Sequence, residues 1–291
     1  MKPIKKLLFS VCLIVFNLLL CLIQSHAESR FTEDNQFRYR IEDQEIIIEE
    51  YLGLSEYIIV PSVIEGMPVA CIGENAFYGA HVTHVVLQEG IRRIEEMAFG
   101  ESGLQRIDLP DTLEYIGDAA FADSLLKSVA IPDSVTELGF APFGGATGLT
   151  TVSLSKSLRC LPERCFFENL SLNQIIIPEG IESIGDECFY FCNTLISIVL
   201  PSSLKTIGND AFNGCHALTS IALPEGLLSI DDGCFAFCEN LETVYVPSSL
   251  RIDENSIGED YRFYGCPRLM LKIKDNPDLV RYAEQKNIPY N

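Results

Sequence analysis

The fold of this chain is decided by a stretch that recurs along it, and its clearest copy is LTSIALPEGLLSIDDGCFAFCENL at residues 218–241. Ile221 and Leu223 alternate with small residues, which predicts a short strand with one buried face. Pro224 lacks an N–H to give to a ladder, so it predicts the end of that strand. The small residue before Phe235 predicts a short helical or 3₁₀ turn that packs against the strands.

Copies of this stretch follow one another every 22 or 23 residues over most of the chain. The strand-ending slot holds Pro61, Pro110, Pro132, Pro178, Pro201, Pro224 and Pro247, with Gln88 and Ser155 in two further copies. A second column holds Phe77, Phe99, Phe121, Phe143, Phe166, Phe189, Phe212 and Phe235, with Phe263 in a lengthened last copy. Because so short a unit cannot bury its own apolar side, successive copies must stack into a solenoid.

A glycine follows the second buried isoleucine in four copies, at Gly73, Gly117, Gly185 and Gly208. Glycine adopts positive φ without a steric penalty. The Ile-Gly pairs therefore predict a turn with positive φ at these positions.

The pattern Leu-x-x-Ile-x-Leu-Pro-x-x-Leu-x-x-Ile-Gly-x-x-Ala-Phe-x-x-Cys resembles the BspA-like, or treponemal-type, class of leucine-rich repeats, found in surface and secreted proteins of bacteria and some protists. It covers residues 55–270 as about nine repeats of 22–23 residues. The resemblance implies an α/β-type repeat solenoid, a right-handed superhelix with a parallel concave sheet. It also implies a binding role, with no catalytic residues and no cofactor to carry over.

Both ends of the repeat region predict caps. Within residues 28–54, apolar residues alternate from Phe37 to Ile48 around a polar turn, which predicts a β-hairpin over the first repeat. Within residues 271–291, Asn276 and Pro277 predict the N-cap and first position of a short helix that runs to about Lys286. Capped ends predict that no sheet edge is exposed.

Residues 1–27 predict a signal peptide. Lysines within residues 1–6 precede an apolar run from Leu7 to Ile23, and residues 25–27, Ser-His-Ala, place small side chains at the −3 and −1 positions of a cleavage site. An uncleaved anchor and lipid attachment at Cys21 are the alternatives. No later segment is long and apolar enough to cross a membrane. The expected location is secreted, periplasmic or at the cell surface.

The charge and composition of the chain argue against a nucleic-acid-binding protein and against an enzyme. The chain has 41 acidic and 21 basic residues, for a net charge of −20, and residues 1–27 hold three of the lysines and no acid. A surface this acidic repels phosphate backbones, which argues against a nucleic-acid partner. His81 and His84 lie far along the chain from His216, so no Ser-His-Asp or Cys-His site can be assembled. We therefore expect no enzyme, no catalytic residue, no metal site and no cofactor.

Nine cysteines lie outside residues 1–27, an odd number. Seven fall in two small slots of the repeat, Cys165, Cys188 and Cys234 just before the Phe column, and Cys192, Cys215, Cys238 and Cys266 three residues after it. These slots predict buried structural thiols. A few disulfides between stacked copies and a metal-binding or catalytic thiol are the alternatives.

An acidic residue follows the proline slot in several copies, at Glu89, Asp111, Asp133, Glu179 and Glu225. A solvated row along one edge is the expectation. Calcium binding is the alternative, and Lys156, Ser202 and Ser248 weaken it because they interrupt the row.

The third and fifth positions of each repeat copy flank the buried Ile or Val of the strand and must point outward. From Gln174 onward the fifth residue becomes apolar, and the resulting stripe consists of Ile176, Val199, Ala222 and Tyr245. An exposed apolar stripe on an acidic protein predicts an interface, although strand propensity alone also favours Ile and Val. The expected function is an exported, non-catalytic binding module, a surface or secreted adhesin for a protein or extracellular-matrix partner. The alternative is a structural, self-assembling envelope component.

Overall fold

The computed structural model describes residues 29–252 and 260–291, which form a solenoid of stacked turns. In chain order the elements are β1 (Arg30–Phe31), β2 (Phe37–Glu42), β3 (Glu45–Tyr51), β4 (Tyr57–Val60), β5 (Val63–Ile64), β6 (Met67–Ile72), β7 (His84–Leu87), β8 (Arg93–Ile94), β9 (Arg106–Asp108), β10 (Tyr115–Ile116), β11 (Ser128–Ala130), β12 (Glu137–Leu138), β13 (Thr151–Ser153), β14 (Cys160–Leu161), β15 (Gln174–Ile176), β16 (Ser183–Ile184), β17 (Ser197–Val199), β18 (Thr206–Ile207), β19 (Ser220–Ala222), β20 (Ser229–Ile230), β21 (Thr243–Val246), β22 (Met270–Ile273) and α1 (Pro277–Lys286).

The strands that precede the proline slot form a parallel sheet, as predicted. It runs as three ladders, β4-β7-β9-β11-β13, β15-β17 and β19-β21-β22. Equivalent residues of successive turns are paired, for example Tyr57 with His84 and Ile176 with Val199. We call the exposed side of these strands the strand face. Because the register never slips, each slot of the repeat becomes a column that runs along the molecule.

A second parallel sheet, which the sequence did not predict, begins with the longer strands β3 and β6 and continues with strands of two residues. Its ladders are β3-β6-β8-β10-β12 and β14-β16-β18-β20. Each two-residue strand buries its apolar second residue, such as Ile116 or Ile184. The core therefore lies between two sheets, and the residues on either side of the Phe column form turns in place of the predicted helical segment.

The Phe column lies buried between the sheets and its rings stack from turn to turn. The ring centroid of Phe189 is 5.4 Å from that of Phe166 and 5.2 Å from that of Phe212, with interplanar angles of 18° and 4°. Stacking continues without a break from Phe77 to Phe263. The contact between turns is therefore a continuous aromatic core.

The residues two before and two after each column Phe from Phe77 to Phe235 have positive φ. Glu187 and Phe191, two residues before and after Phe189, have φ of 52° and 54°. This conformation lets the N–H groups of Glu187, Phe189 and Phe191 all donate to the next turn, each at 2.8 Å, to the carbonyls of Asn209, Ala211 and Asn213. The turns are thus joined by a third set of main-chain hydrogen bonds besides the two sheets.

The prediction of positive φ at the Ile-Gly pairs is wrong. Gly73, Gly117, Gly185 and Gly208 do not adopt it. They are needed for close approach, since a Cβ on Gly117 would lie 2.8 Å from the carbonyl carbon of Glu95, and one on Gly185 would lie 2.6 Å from the nitrogen of Glu163. Glycine at this slot lets one turn pack against the backbone of the turn before it.

The hairpin of β2 and β3 does not cover both sheets. β2 and β3 are antiparallel, and β3 pairs with β6, so the hairpin extends the second sheet. In the described residues β4 pairs only with β7, which leaves its other edge open. The expectation that no sheet edge is exposed is therefore wrong for the strand-face sheet.

The other end of the strand-face sheet is covered. The N–H groups of Leu271 and Ile273 in β22 donate to the carbonyls of Pro289 and Asn291 at 2.8 and 3.1 Å. The predicted helix, α1, is confirmed, and the Asn276 side chain accepts a hydrogen bond from the N–H of Leu279 at 3.2 Å.

None of the described residues forms a helix with the length and apolar character of a membrane span. The predicted signal peptide, residues 1–27, with Cys12 and Cys21, lies outside the described residues.

Candidate binding surface

The structure places the predicted stripe on the strand face. Ile176, Val199 and Tyr245 are 70%, 57% and 53% exposed, and Ala222 is exposed as well. Ile176 is paired with Val199 and Ala222 with Tyr245 across the ladders. The alternation of the strand produces this arrangement, because the residues between them, such as Ile175 and Val244, point into the core.

The stripe and the residues beside it in the same four strands carry no charge. The other outward positions of these strands hold uncharged polar residues, Gln174, Ser197, Ser220 and Thr243. The first charged side chain beyond Tyr245 on its row is Lys272, which is its partner in β22. A protein of net charge −20 thus presents one uncharged, partly apolar surface on this half of the strand face.

The other half of the strand face holds an ion cluster. His84 Nε2 lies 2.9 Å from Asp108 Oδ2, and Arg106 donates to Asp108 Oδ1 at 2.9 and 3.1 Å. Burial raises the pKa of Asp108, but the hydrogen bonds from His84 and Arg106 outweigh it and hold that pKa below its ordinary value. All three groups are partly exposed, so this is a surface ion pair network and not a buried proton relay.

Two exposed apolar residues at the far end of the strand face were missed from the sequence. Tyr57 and Ile59 in β4 are 53% and 48% exposed, and the Tyr57 ring meets the His84 ring edge-on with centroids 5.0 Å apart. They occupy the third and fifth positions of the repeat copy that contains Pro61, and the same two positions define the stripe in later copies. The repeat pattern was therefore sufficient to find them.

The nine cysteines of the described residues are free thiols. The Cys192, Cys215, Cys238 and Cys266 thiols donate to the carbonyl oxygen of a column Phe in the preceding turn, at 3.0–3.3 Å. Burial raises the pKa of Cys266 to about 11 and that of Cys71 to about 12. Such thiols remain protonated at neutral pH, which makes them poor nucleophiles.

The acidic row after the proline slot is used within the solenoid. The carboxylates of Glu89, Asp133 and Glu179 accept main-chain N–H groups of Asp111, Lys156 and Ser202 in the next turn, at 2.9–3.2 Å. Each carboxylate therefore stabilises the start of the following turn. Among residues 29–252 and 260–291, no three His, Cys, Asp or Glu side chains lie close enough together to hold a metal ion.

A cavity of about 780 Å³ lies between the last turns and α1. Phe237, Glu239, Tyr264, Arg268 and Lys286 are among the residues that line it. Its floor includes the buried carboxylate of Asp260, which pairs with Arg262 at 2.8 Å and lies 4.0 Å from the Lys286 ammonium. The sequence pattern did not point to this cavity, because it forms between the repeats and the cap.

Comparison with known proteins identifies the repeat. Residues 70–193 and 161–276 match the family described as BspA type leucine rich repeat region, in six copies. No curated protein matches the chain.

Solved structures of similar proteins include the Treponema pallidum leucine-rich repeat protein, which is 26% identical over 88% of this chain and 95% of that chain, with a TM-score of 0.46. A leucine-rich cell surface protein from Faecalibacterium prausnitzii is 19% identical over 91% and 95%, with a TM-score of 0.43. The pneumococcal vaccine antigen PcpA is 15% identical over 91% and 98%, with a TM-score of 0.40. The family match spans more than half of the chain and agrees with the stacked turns, so the chain belongs to the BspA-type leucine-rich repeat family.

Proposed function

We propose that this chain is an exported, non-catalytic binding protein that docks a protein partner on its strand face. The contact surface is the stripe of Ile176, Val199, Ala222 and Tyr245. The observation that carries the proposal is the exposure of these side chains in one register, with no charged residue on the outward face of their own strands. Contiguous exposed apolar surface of this kind marks an interface.

The chemistry of the stripe fits a protein more closely than a small molecule. It is an open row along stacked strands, and solenoids use such extended surfaces for binding. Tyr245 is the expected hot spot, because a partly exposed aromatic ring gives a large contact area at low entropic cost. Lys272 beside it offers a cation to a partner carboxylate at the rim.

The proposed setting is the cell surface or the secreted fraction, with a host or extracellular-matrix protein as partner, so the protein acts as an adhesin. The predicted signal peptide at residues 1–27 supports export. Membership of a repeat family that is generally non-enzymatic supports a binding role.

The test is a triple variant, Ile176→Ser, Val199→Ser and Tyr245→Ser, in the chain from residue 28 onward. The wild type is first screened against matrix and serum proteins by biolayer interferometry. We expect the triple variant to lower the affinity for the captured protein at least about tenfold, because it removes the apolar contacts and the anchor. A control variant changes Thr151→Ala and Ser153→Ala, exposed positions of the same face outside the stripe.

Both variants are checked for native circular dichroism. Unchanged binding by the triple variant, together with an unchanged oligomeric state, would show that the stripe reflects strand propensity alone.

A second candidate function, self-assembly, is favoured by the open edge of β4. In a parallel ladder alternate residues bond to opposite sides, so the main-chain groups of Tyr57 and Ile59 face away from β7. Sedimentation across a concentration series tests this candidate. Ile59→Pro removes an outward N–H without breaking the ladder to β7, so it should convert an assembly through this edge to monomer. A wild-type monomer at all concentrations would exclude it.

A further inference from the structure

A second surface, partly exposed, runs along the turns and is formed by aromatic residues close to the Phe column in sequence. We call it the turn-edge array, and it consists of Phe140, Phe167, Tyr190, Phe191, Phe237 and Tyr264. The rings of Phe167 and Tyr190 are stacked at 5.2 Å, and those of Tyr190 and Phe191 are 4.7 Å apart. His216 continues the row, with its ring 6.0 Å from that of Phe191 and its Nδ1 3.0 Å from the Phe237 carbonyl oxygen. Phe237 then meets Tyr264 edge-on at 5.3 Å.

Two members of the turn-edge array occupy unfavourable backbone positions. Phe191 and Phe237 have φ of 54° and 56°, in the left-handed region that bulky side chains rarely adopt. The same slot of other turns holds a glycine or an acidic residue with positive φ, at Gly79, Glu101, Asp123, Gly145, Glu168, Gly214 and Gly265. A bulky aromatic ring on this left-handed backbone costs conformational energy, so its presence at two turns points to a function.

The glycines of the following turns make room for these two rings. A Cβ on Gly214 would lie 2.9 Å from Phe191 Cδ2, and a Cβ on Gly265 would lie 2.9 Å from Phe237 Cδ1. Each ring therefore lies over a glycine, and Phe237 is 43% exposed. At this one slot, a phenylalanine alternates with a glycine from Phe191 to Gly265.

One end of the array already binds a cation from within the chain. The Arg164 guanidinium lies 5.2 Å from the Phe167 ring centroid and 5.8 Å from that of Phe140. It also donates to both carboxylate oxygens of Glu187, at 2.8 and 3.1 Å. Aromatic ring and carboxylate together are the chemistry that holds guanidinium groups in proteins.

Carboxylates also lie near the rest of the array. Burial raises the pKa of Tyr190, the carboxylates of Asp210, Glu187 and Glu168 raise it further, and the Arg164 guanidinium opposes this rise. Glu239 lines the same cavity as Phe237 and Tyr264.

Neither Glu168 nor Glu239 has a side-chain hydrogen bond or ion pair within the described part of the chain. The two cations that line the same cavity as Glu239 contact other groups, since Arg268 donates to Asn240 Oδ1 at 3.1 Å and Lys286 lies 4.0 Å from Asp260.

We infer that the turn-edge array binds an arginine- or lysine-containing segment of a partner protein, whose cations lie on Phe191 and Phe237 and pair with Glu168 and Glu239. The net charge of −20 complements such a segment and attracts it from a distance. This site is formed by other residues than the strand face and does not depend on the function proposed for that face.

The test uses the double variant Phe191→Gly and Phe237→Gly, which removes both rings, keeps every charge and relieves both backbone strains. The probe is a fluorescent peptide of about nine residues that alternates arginine and serine, measured by anisotropy. We expect the wild type to bind it at least about tenfold more tightly than a citrulline peptide of the same length, and the double variant to lose at least about tenfold in affinity. The melting temperature of the double variant should equal or exceed that of the wild type.

Tyr245→Ser is the matched control, because it removes an exposed aromatic ring outside the array, and it should leave peptide affinity unchanged. Equal binding by the double variant would overturn the proposal, since the peptide would then be attracted by net charge alone. Equal binding of the citrulline peptide, or of a neutral oligosaccharide, would overturn the assignment of a cationic ligand.

Discussion

At the scale of single residues, the packing between turns depends on the Phe column and on the glycines that let neighbouring turns approach each other. Phe189 lies buried between two stacked rings. Phe189→Ala should cost about 3–5 kcal/mol of unfolding free energy, because a cavity opens between two turns that cannot collapse onto each other. Urea denaturation followed by circular dichroism measures it. A variant that unfolds at the same urea concentration as the wild type would contradict the buried column, and Leu125→Ala, at an exposed position, serves as control.

Two glycine variants test whether the glycine after the buried isoleucine is needed for the close approach of two turns. A Cβ on Gly117 would meet the backbone of Glu95 and Glu96 at 2.8 and 2.9 Å, whereas one on Gly148 would find only ordinary contacts from 3.5 Å outward. Gly117→Ala should therefore destabilise the protein by about 1 kcal/mol or more, through forced separation of two turns. Gly148→Ala should be neutral or slightly stabilising, since it restricts only the unfolded chain. Equal melting temperatures for the two variants would contradict the close-approach explanation.

At the scale of the elements, the sequence predicted the longer strands, the capped helix and the stacking of copies, because each has a pattern that local chemistry dictates. The second sheet could not be predicted from the sequence, because a strand of two residues is too short to show an alternation of apolar and polar residues. The glycine slot was misassigned because positive φ and close approach both demand glycine. The turn-edge array was missed because its rings meet across turns, and Phe191 and Phe237 look like isolated surface residues in the sequence.

The buried cysteines predict that the protein becomes less stable at alkaline pH. Burial raises the pKa of Cys266 to about 11 and of Cys71 to about 12, above the ordinary thiol value of 9.0. Between pH 9 and these raised values, the unfolded chain loses thiol protons that the folded chain keeps. The free energy of unfolding is therefore unaffected by these thiols below pH 9, and it falls as the pH rises toward 11 and 12. The melting temperature should therefore fall between about pH 8.5 and pH 10.5.

The variant Cys71→Ala should show a shallower fall over the same interval, because one such thiol is gone. A pH dependence identical to that of the wild type would contradict the assignment to buried thiols. Under native conditions at neutral pH, we also expect a thiol reagent to modify the buried cysteines far more slowly than the exposed Cys160.

At the scale of the whole molecule, the stacking of repeats places equivalent residues in long columns, and each column has its own role. The Phe column holds the turns together, the acidic row anchors the start of each next turn, and the strand face is left free for contact. The exposed stripe and the turn-edge array are separate groups of apolar and aromatic residues on outward slots of the repeat. Functional residues in such a protein are the ones that break the repeat on an exposed column.

The proposed function requires a protein partner to contact the strand face at Ile176, Val199, Ala222 and Tyr245. Hydroxyl-radical footprinting of the chain from residue 28 onward, with and without its captured protein ligand, measures this contact residue by residue. Tyr245 and Ile176 should lose most of their oxidation in the complex, while the exposed Tyr78, which lies outside the strand face, should be oxidised as in the free protein. Full oxidation of Tyr245 and Ile176 in a complex that protects another surface would contradict the account.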